Sequence, residues 1–389
     1  MTKLSLAKYL QQIQGTLSKT LTTFRTWKER QVLEDYPKPT YTRTSKQDVI
    51  RSWYKQGCEA WKKLTPEQKE AYKEKASKLG LTAFNVFMSE WLQLYKGVFK
   101  YDVTINNTQL NQTLTNYQIK LTITNNATFF NDFNNDHKYL EVYDTDQATQ
   151  LSFYVEKWDT TNKNAVIWIK VPSIPASGVK NIYLKYNPTR LSYLSNPYAV
   201  FDFYDVFPGS SLDTTKWESL VASGGVTVSN GICRLSSSCQ IRSKTSLSGS
   251  FQFELIINIP SGVNCYRQRT YLYDVNNNRV TPFDHGYFSN DNTTVYIFWN
   301  AYTTTVVPKN TDLTVFLRFL NGVFYWIVYK PDGTILYQNS TSVSYIPVKA
   351  CLGVGDYPST TNPGTLDVKM VRAYKYAYPE PTLTLSRIV

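Results

Sequence analysis

Histidine and cysteine are scarce in this chain of 389 residues, and long apolar runs are absent. Only two His and five Cys are present, and no C-x-x-C or Cys/His ligand spacing occurs, so a zinc site is not expected. No run approaches the roughly 18 apolar residues of a membrane span, so none is expected. The first residues also lack the apolar core of a signal peptide, because Gln11, Gln12 and Gln14 interrupt it.

Basic charge is concentrated in the first quarter of the chain. Residues 1–100 hold 19 Lys and Arg against 9 Asp and Glu, whereas the other 289 residues hold 23 against 21. Within residues 62–78 the lysines alternate with Glu67, Glu70 and Glu74 at helical pairing distances. Interleaved charge of this kind favours a solvated helix face. Binding of packaged nucleic acid by the same lysines is the second interpretation.

Helical periodicity is confined to the first 97 residues. Apolar residues recur near helical spacing in residues 4–33, which predicts an N-terminal helical arm over residues 1–44. The sequence from Ser45 on predicts a helical module over residues 45–97. Within it, Thr65 followed by a proline predicts the start of a helix, and Gly80 predicts its end.

From residue 98 onward, apolar and polar residues alternate in short segments divided by Asn, Asp, Gly and Pro. This pattern predicts β-strands, and Asn321-Gly322 and Asp332-Gly333 predict tight hairpin turns. No helical pattern lies between the strands, so antiparallel sandwiches are expected. The chain is therefore predicted to be mainly β with an N-terminal α domain: a small helical bundle, a β-sandwich over residues 98–198 and a second β domain over residues 199–389.

The helical module carries a resemblance. The string AWKKLTPEQKEAYKEKASK is similar to helices two and three of an HMG box, and AFNVFMSEWL to its first helix, but in reversed order. Residues 25–95 resemble more closely a helical module of phage and prophage proteins. The matching positions are Tyr36-Pro37, Gln47, Arg51, Trp61, Leu64, Thr65, Tyr72, Gly80, Leu81, Thr82, Asn85 and Phe87. Tyr72 stands where Trp is commoner. This resemblance implies a structural component of a virion or prophage.

The β region carries a second resemblance, over roughly residues 100–385. The strings WIKVPSIPASG, FPGSSLDTTKW and VRAYKYAYPEPT are similar to a widespread surface-domain family of unknown function with a concanavalin A-like jelly roll of the lectin/glucanase type. The resemblance implies that residues 199–389 form such a jelly roll. Because known members are bacterial and archaeal surface proteins, it also implies surface display and contact with glycans.

Glutamate is too sparse in the β region for the catalytic pattern of glucanases of this fold. Retaining members need two carboxylates about 5 Å apart, usually from E-x-D-x-x-E on one strand. Only five Glu lie beyond residue 100, and none has another within four positions. Glu254 lies on a suitable strand, but Ile256 and Asn258 stand where partner acids are needed. The sequence therefore predicts that the chain is not an enzyme.

Several residues are candidates for binding sites. Aromatic side chains in or beside polar segments are glycan-binding candidates, with cross-strand packing as the alternative for each: Tyr266, Tyr271, Tyr273, Trp299, Tyr302 and Tyr357. Asp202, Asp205 and Asp213 are candidate ligands of a structural Ca²⁺ ion, or else Asp213 simply caps a turn. No other cofactor is expected.

Cysteine and asparagine add further predictions. Cys233 and Cys239 flank a predicted hairpin and are candidates for a disulfide, with Cys265 and Cys351 as a second pair, although four buried thiols are the alternative. The N-x-S/T pattern marks candidate N-glycosylation sites at Asn106, Asn111, Asn126, Asn292 and Asn339.

These observations lead to the hypothesis of a virion structural protein of the spike, turret or fibre type, and the Asn/Thr/Tyr-rich composition suggests an archaeal virus. Residues 1–97 are predicted to contact other virion proteins, and the β domains a glycan or protein of the host surface. The protein would be made in the host cytoplasm, displayed on the virion surface and assembled as a homo-oligomer. The alternatives are a cellular glycan-binding surface protein and a polysaccharide-acting enzyme.

Overall fold

The computed structural model describes most of the chain, in two compact units that span Met1–Gln93 and Leu94–Val389. The described residues are 16–17, 22–27, 30–35, 45–96, 98–188, 190–261, 268–274, 276, 287–290, 295–299, 301–343, 349–354 and 364–388. Among them, no helix is both long enough and apolar enough to cross a membrane.

The N-terminal residues that the structure describes form strands. β1 (Thr16–Leu17), β2 (Thr22–Trp27) and β3 (Arg30–Asp35) make a three-stranded antiparallel sheet. The predicted helical arm over residues 1–44 is therefore wrong at these positions. The β2 segment TTFRTW holds three Thr among its six residues, and the branched Cβ of Thr favours extended backbone over helix.

The small helical bundle of the predicted fold class is present, within the residues 45–97 that the sequence assigns to a helical module. Its three helices are α1 (Ser45–Lys63), α2 (Pro66–Leu79) and α3 (Ala83–Lys96). Thr65 caps α2, since its hydroxyl accepts a hydrogen bond from the backbone of Gln68 and the Gln68 side chain accepts one from the backbone of Thr65. Gly80 ends α2 in the left-handed conformation, with φ at 63°.

Aromatic packing joins the three helices. The ring of Phe87 lies 5.2 Å from that of Trp61 and 5.4 Å from that of Tyr72, between centroids. A Cβ atom on Gly57 would lie 2.7 Å from a ring atom of Trp91, so α1 and α3 approach at a point where only glycine fits.

Exposed ion pairs cover part of this unit. Lys62 lies 2.9 Å from Glu59, and Lys73 lies 2.7 Å from Glu70. Lys75 pairs across the helices with Glu90 at 3.0 Å. Such interleaved pairs fit a solvated helix face, and exposed pairs of this type contribute little to stability.

The second unit begins with a β-sandwich. Its strands are β4 (Val98–Asn106), β5 (Leu114–Ile123), β6 (Leu140–Tyr143), β7 (Phe153–Asp159), β8 (Asn164–Ile174) and β9 (Val179–Tyr186). Two short helices, α4 (Ala127–Asp132) and α5 (Pro197–Val200), and a 3₁₀ turn at His137–Tyr139 join or follow them. Alternate residues such as Val103, Ile167 and Ile182 are fully buried between a β5-β8-β7 sheet and a second sheet that holds β4, β9 and β6.

A larger antiparallel sheet follows and curls into a jelly roll. Its strands are β10 (Phe203–Asp205), β11 (Trp217–Ser229), β12 (Ile232–Ser243), β13 (Phe251–Asn258), β14 (Gln268–Tyr273), β15 (Tyr287–Asn290), β16 (Val295–Trp299), β17 (Ala301–Val307), β18 (Asp312–Leu320), β19 (Val323–Tyr329), β20 (Ile335–Ser342), β21 (Lys349–Val354) and β22 (Gly364–Lys375). The order runs β17-β16-β15-β14-β21-β12-β22-β13-β18-β19-β20, and the two end strands contact each other. The predicted fold class, mainly β with an N-terminal helical bundle, a sandwich and a jelly roll, is confirmed.

The last strand crosses the predicted boundary between the two β domains. β23 (Thr382–Arg387) pairs with β4, so it completes the four-stranded sheet β23-β4-β9-β6 of the first sandwich. The predicted division into residues 98–198 and 199–389 is therefore wrong at the C-terminus. Leu383 and Leu385 pack against the hydrophobic core of the first sandwich. Their strand also covers the edge of β4, whose backbone groups would otherwise lack ladder partners.

Aromatic side chains also fasten the sandwich to the jelly roll. Trp168 of β8 packs edge-on against Phe201 and at a tilt against Tyr374 of β22, with ring centroids 5.2 and 4.9 Å apart. Tyr204 and Met370 complete this buried cluster. The two β layers of the second unit thus share an apolar contact between their faces.

The predicted disulfide between Cys233 and Cys239 is wrong, because both residues are free thiols. They lie six residues apart in one strand, β12, rather than opposite each other across a hairpin. A disulfide needs Cα atoms roughly 5–6 Å apart, which extended backbone exceeds over six residues. Burial raises the pKa of Cys233 to about 12 and that of Cys239 to about 11. Cys351 is buried with its sulfur 3.1 Å from Gln240, and Cys265 lies outside the described residues.

Candidate functional site

A cleft of about 580 Å³ lies where the first sandwich meets the outer face of the jelly roll, and we call it the junction cleft. One wall comes from β5, another from β13, β18, β19 and β22, and the chain around β23 lines a third side. The lining residues are Tyr117, Gln118, Ile119, Lys120, Leu121, Thr122, Trp168, Gln252, Phe316, Arg318, Tyr329, Tyr374, Glu380, Pro381, Leu383 and Leu385.

Strand alternation places two sets of residues on opposite faces of the jelly-roll wall. On β18 and β13, Leu317 and Phe253 point into the jelly-roll core, where both are fully buried. Their neighbours Phe316, Arg318 and Gln252 point outward, into the cleft. The sandwich covers only part of this outward face, and the cleft is the part that stays open.

A chain of hydrogen bonds runs along the floor of the cleft. Arg318 donates from Nε to Oε1 of Gln252 at 2.7 Å, and the Gln252 amide bonds the hydroxyl of Tyr374. That hydroxyl donates to Glu254 at 3.3 Å. Arg372 then binds both oxygens of Glu254, at 3.0 and 2.6 Å. Because each side chain holds the next, the floor is rigid in its polar geometry.

Arg372 also links the two β layers electrostatically. Its Nη1 donates to Glu156 of β7 at 2.7 Å, so one guanidinium holds a carboxylate from each layer. Burial opposes the charge of Arg372, but Glu254 and Glu156 outweigh it and raise the pKa of the guanidinium. Burial has the opposite effect on Tyr374, whose charged form is the anion, and raises its pKa well above the ordinary value.

Glu380 is the one carboxyl among the described residues that line the cleft. The walls of the cleft desolvate it, and this desolvation raises the pKa of its carboxyl above the ordinary value. Arg318 and Lys120 act in the opposite direction through their charges. Glu380 therefore holds a proton more readily than an exposed glutamate.

Aromatic faces form the rest of the site. Phe316 and Tyr329 pack together with ring centroids 5.1 Å apart, and both remain partly exposed. The Lys120 ammonium lies 5.3 Å from the Trp168 ring, and the Arg318 guanidinium lies 3.9 Å from the Tyr376 ring. The cleft thus combines aromatic surface with two cations and one carboxyl.

The described residues that line this cleft include none of the aromatic residues selected from the sequence. Tyr271 and Tyr273 lie on β14, Trp299 on β16 and Tyr302 on β17, all on the far arm of the large sheet from β13 and β18. Tyr273 packs under Arg242 at 4.8 Å. The candidates Tyr266 and Tyr357 fall outside the described residues. As glycan contacts, all six stay predictions.

Sequence reasoning missed Phe316, Arg318, Tyr329 and Glu380. The first three occupy outward positions in alternating strands, which is a signal for exposure but not for a cleft. Glu254, the carboxylate singled out as a possible catalytic residue, is instead buried and bound by Arg372.

The three aspartates proposed as calcium ligands do not converge. Asp202 accepts from Gln118 and Lys170, each at 3.2 Å. Asp205 accepts from the buried indole of Trp217 at 2.7 Å, and Asp213 caps its own turn. Throughout the part of the chain that is described, no group of three or more acidic, His or Cys side chains has the geometry of a metal site.

The glycosylation candidates differ in exposure. Asn106, Asn111 and Asn339 are exposed, whereas Asn126 is half-buried and caps α4 through Phe129. Asn292 lies outside the described residues. All five stay predictions.

The fold defines a class: a sandwich joined to a jelly roll of the concanavalin A-like, lectin and glucanase type. Within this class, residues 136–220 match the family model described as "Domain of unknown function (DUF2341)". This segment starts in the first sandwich and ends in β11, so it spans the junction between the two layers. It lies wholly outside residues 25–95, whose resemblance to phage proteins stays a prediction.

Solved structures of similar fold come from several sources. A Bacillus licheniformis β-glucanase is 17% identical with a TM-score of 0.31, over 45% of this chain and 98% of the other. A protein from the work on endo-acting O-glycanases of human gut microbiota is 13% identical with a TM-score of 0.33, over 46% and 100%. A legume lectin-like domain from Entamoeba histolytica is 11% identical with a TM-score of 0.29, over 42% and 91%. The comparison with curated proteins found no match.

These comparisons correct one prediction. The sequence predicts that the chain is not an enzyme, because a paired-glutamate motif is missing. The solved structures of similar fold include glucanases and an O-glycanase, so this prediction is wrong as an exclusion. A motif on one strand is only one way to assemble acidic groups, since strands distant in sequence meet in this sheet.

Proposed function

We propose that this protein binds carbohydrate in the junction cleft. The observation that carries the proposal is the combination of half-exposed aromatic faces, Phe316 and Tyr329, with polar groups of Arg318, Lys120 and Glu380 in one concave site. Sugar rings present apolar C–H faces that pack on aromatic rings, and hydroxyl groups that need hydrogen-bond partners. A cleft with both kinds of surface matches both needs.

The hydrogen bonds along the floor of the cleft hold its polar side chains in place before a ligand binds. Gln252 and Tyr374 already bond each other, and Gln252 fixes the position of Arg318. A side chain that is held before the ligand arrives loses less conformational entropy on binding. We therefore assign ligand contact to Arg318, and positioning to Gln252 and Tyr374.

Replacing Tyr329 with alanine tests the proposal. Loss of the aromatic face should weaken glycan binding by about tenfold or more, because a stacked ring contributes on the order of 1 kcal/mol beyond its contact area. A glycan array with the full chain selects the ligand, and calorimetry measures the affinity. Tyr54→Ala, an exposed tyrosine of the helical unit, is the matched control. Absence of glycan binding by the intact chain, or equal affinity of Tyr329→Ala, would contradict the proposal.

Cleavage of a bound polysaccharide is a second candidate function, favoured by the raised pKa of Glu380. A carboxyl with a raised pKa keeps its proton to a higher pH than an exposed glutamate and is therefore better suited to act as a general acid. We expect release of reducing ends from a polysaccharide panel, and a loss of about 100-fold or more in Glu380→Gln. If the panel yields no new reducing ends, or Glu380→Gln cleaves at the same rate, this function is rejected.

The more specific role in a virion rests on the sequence alone. Residues 1–97 would contact the particle, and the β unit would present the junction cleft to a host glycan. Proteomics of purified particles tests this role, and absence of the chain from particles would exclude it.

A further inference from the structure

Two cations of the junction cleft make no close ion pair among the described residues, unlike other arginines of the β unit. Arg372 binds two glutamates, and Arg387 binds Asp132 through two bonds of 2.8 Å. Arg318, in contrast, has no ion pair within the described residues, although it is partly buried. A half-buried cation is costly unless a group of opposite charge compensates it.

The contacts of Arg318 leave its outer nitrogens available. Its Nε donates to Gln252, and its Cζ atom lies over the Tyr376 ring, 3.9 Å from the ring centroid. Neither contact uses Nη1 or Nη2. A guanidinium that is stacked and bonded at Nε presents its remaining N–H groups in a fixed direction, which suits the two oxygens of a carboxylate or sulfate.

Lys120 adds a second cation from the opposite wall. It lies on β5 of the sandwich, is exposed, and contacts the Trp168 ring without an ion pair in the described part of the chain. Arg318 lies on β18 of the jelly roll, so the two charges belong to different layers and border the same cleft. Glu380 is the remaining charged lining residue, and its carboxylate can accept bonds from sugar hydroxyls.

We infer that the ligand of the junction cleft is an anionic glycan, whose carboxylate or sulfate lies between Arg318 and Lys120 while a sugar ring packs on Tyr329. This inference rests on the proposed carbohydrate binding and adds the chemical class of the sugar. The anion gives Arg318 and Lys120 the close ion pair that each lacks, whereas Glu380 acts on them through its charge alone. A neutral sugar fills the same space but leaves Glu380 as the one counter-charge among the described lining residues.

Calorimetry with the full chain tests this inference with three probes of equal length: oligogalacturonate for a carboxylate, a sulfated oligosaccharide for a sulfate, and a cello-oligosaccharide as the neutral probe. We expect at least one acidic probe to bind about tenfold or more tightly than the neutral one, because charge-assisted hydrogen bonds contribute roughly 1.5–3 kcal/mol. The preference should decrease as salt increases. The acidic probe that binds better identifies the anion.

Variants show whether the two cations cause the preference. Arg318→Gln should reduce the ratio of acidic to neutral affinity about tenfold. Arg318→Lys should reduce it less, because lysine keeps the charge but lacks the paired N–H donors of the guanidinium. Glu380→Gln should raise the ratio, since it removes the like charge. Arg51→Gln in the helical unit is the control and should leave the ratio unchanged. Equal melting temperatures confirm that the variants are folded.

Each outcome separates this inference from the proposed function. If neutral and acidic probes bind equally, and Tyr329→Ala weakens both, carbohydrate binding stands and the anionic specificity is overturned. If the preference exists but survives Arg318→Gln and Lys120→Gln, the charges lie elsewhere and the inference is also overturned. If no probe and no array glycan binds, both proposals fail.

Discussion

Truncation of the chain after Pro381 is expected to unfold the first sandwich, although that sandwich begins almost 300 residues earlier. The truncation removes β23, which pairs with β4 over six residues, and the Arg387–Asp132 ion pair with its two 2.8 Å bonds. It also removes the partly buried Leu383 and Leu385. Ladder bonds contribute about 1 kcal/mol each and buried leucines roughly 2, so the loss is on the order of 5 kcal/mol or more. That is comparable to the whole stability of a domain.

Calorimetric melting and hydrogen exchange measure this effect. We expect the truncated chain to melt at a lower temperature or to show no melting transition. The amides of β4 should lose their protection from hydrogen exchange, because β4 becomes an open sheet edge. Two point variants separate the effect of side-chain packing from the effect of losing the whole strand. Leu385→Asp places a charge against the sandwich core and should destabilise, whereas Thr384→Asp lies on the exposed side and should change the melting temperature little. An unchanged transition in the truncated chain would contradict the assignment of β23.

Arg372→Met should produce the second largest effect, a loss of about 3–5 kcal/mol in the free energy of unfolding. The substitution keeps much of the side-chain volume but leaves Glu254 and Glu156 without their shared cation at the contact between the layers. An unpaired buried charge costs far more than an ion pair contributes. Chemical denaturation with urea measures the change. Lys369→Met is the control, because both side chains of the Lys369–Asp312 pair are partly exposed, so the pair should contribute about 1 kcal/mol or less.

The pH dependence of Arg372→Met gives a further check with a definite sign. In the intact protein, desolvation acts to raise the pKa of Glu156, but Arg372 and hydrogen bonds hold it below its ordinary value. Without Arg372 the desolvation, which is the largest influence on this carboxyl, is opposed by the Trp168 hydrogen bond and the charge of Lys120. We therefore expect the pKa in the folded state to exceed that in the unfolded state. The folded variant then binds more protons, and its stability should rise as the pH falls towards 5. A variant with the stability and pH profile of the intact protein would contradict this role of Arg372.

Local chemistry explains the parts of the fold that the sequence predicts well. Thr65 and Gly80 mark the ends of α2 because a cap depends on a few adjacent residues. Strand alternation beyond residue 98 is reliable because each strand buries one face. Loose apolar spacing predicts a helix in the N-terminal arm, and the Thr-rich β2 segment forms a strand instead. The Cys233–Cys239 pairing fails because the segment between them continues one strand rather than turning.

Local sequence patterns do not predict the junction cleft. Lys120, Arg318 and Glu380 are separated by up to 260 residues in sequence, and each has an ordinary local pattern. Sequence reasoning selects aromatic residues in polar segments instead, because polarity indicates exposure. Exposure does not indicate which exposed positions a second layer brings together.

The sequence by itself determined that the protein is mainly β with a basic helical bundle at its start, because periodicity and capping are properties of neighbouring residues. Only the tertiary structure decided that the last strand returns to the first sandwich, that Glu254 is neutralised by Arg372, and that a cleft lined by two cations without a close ion pair opens between the layers. These features depend on contacts between segments far apart in the chain. The packing of one sheet on another selects those contacts, and no local pattern records them.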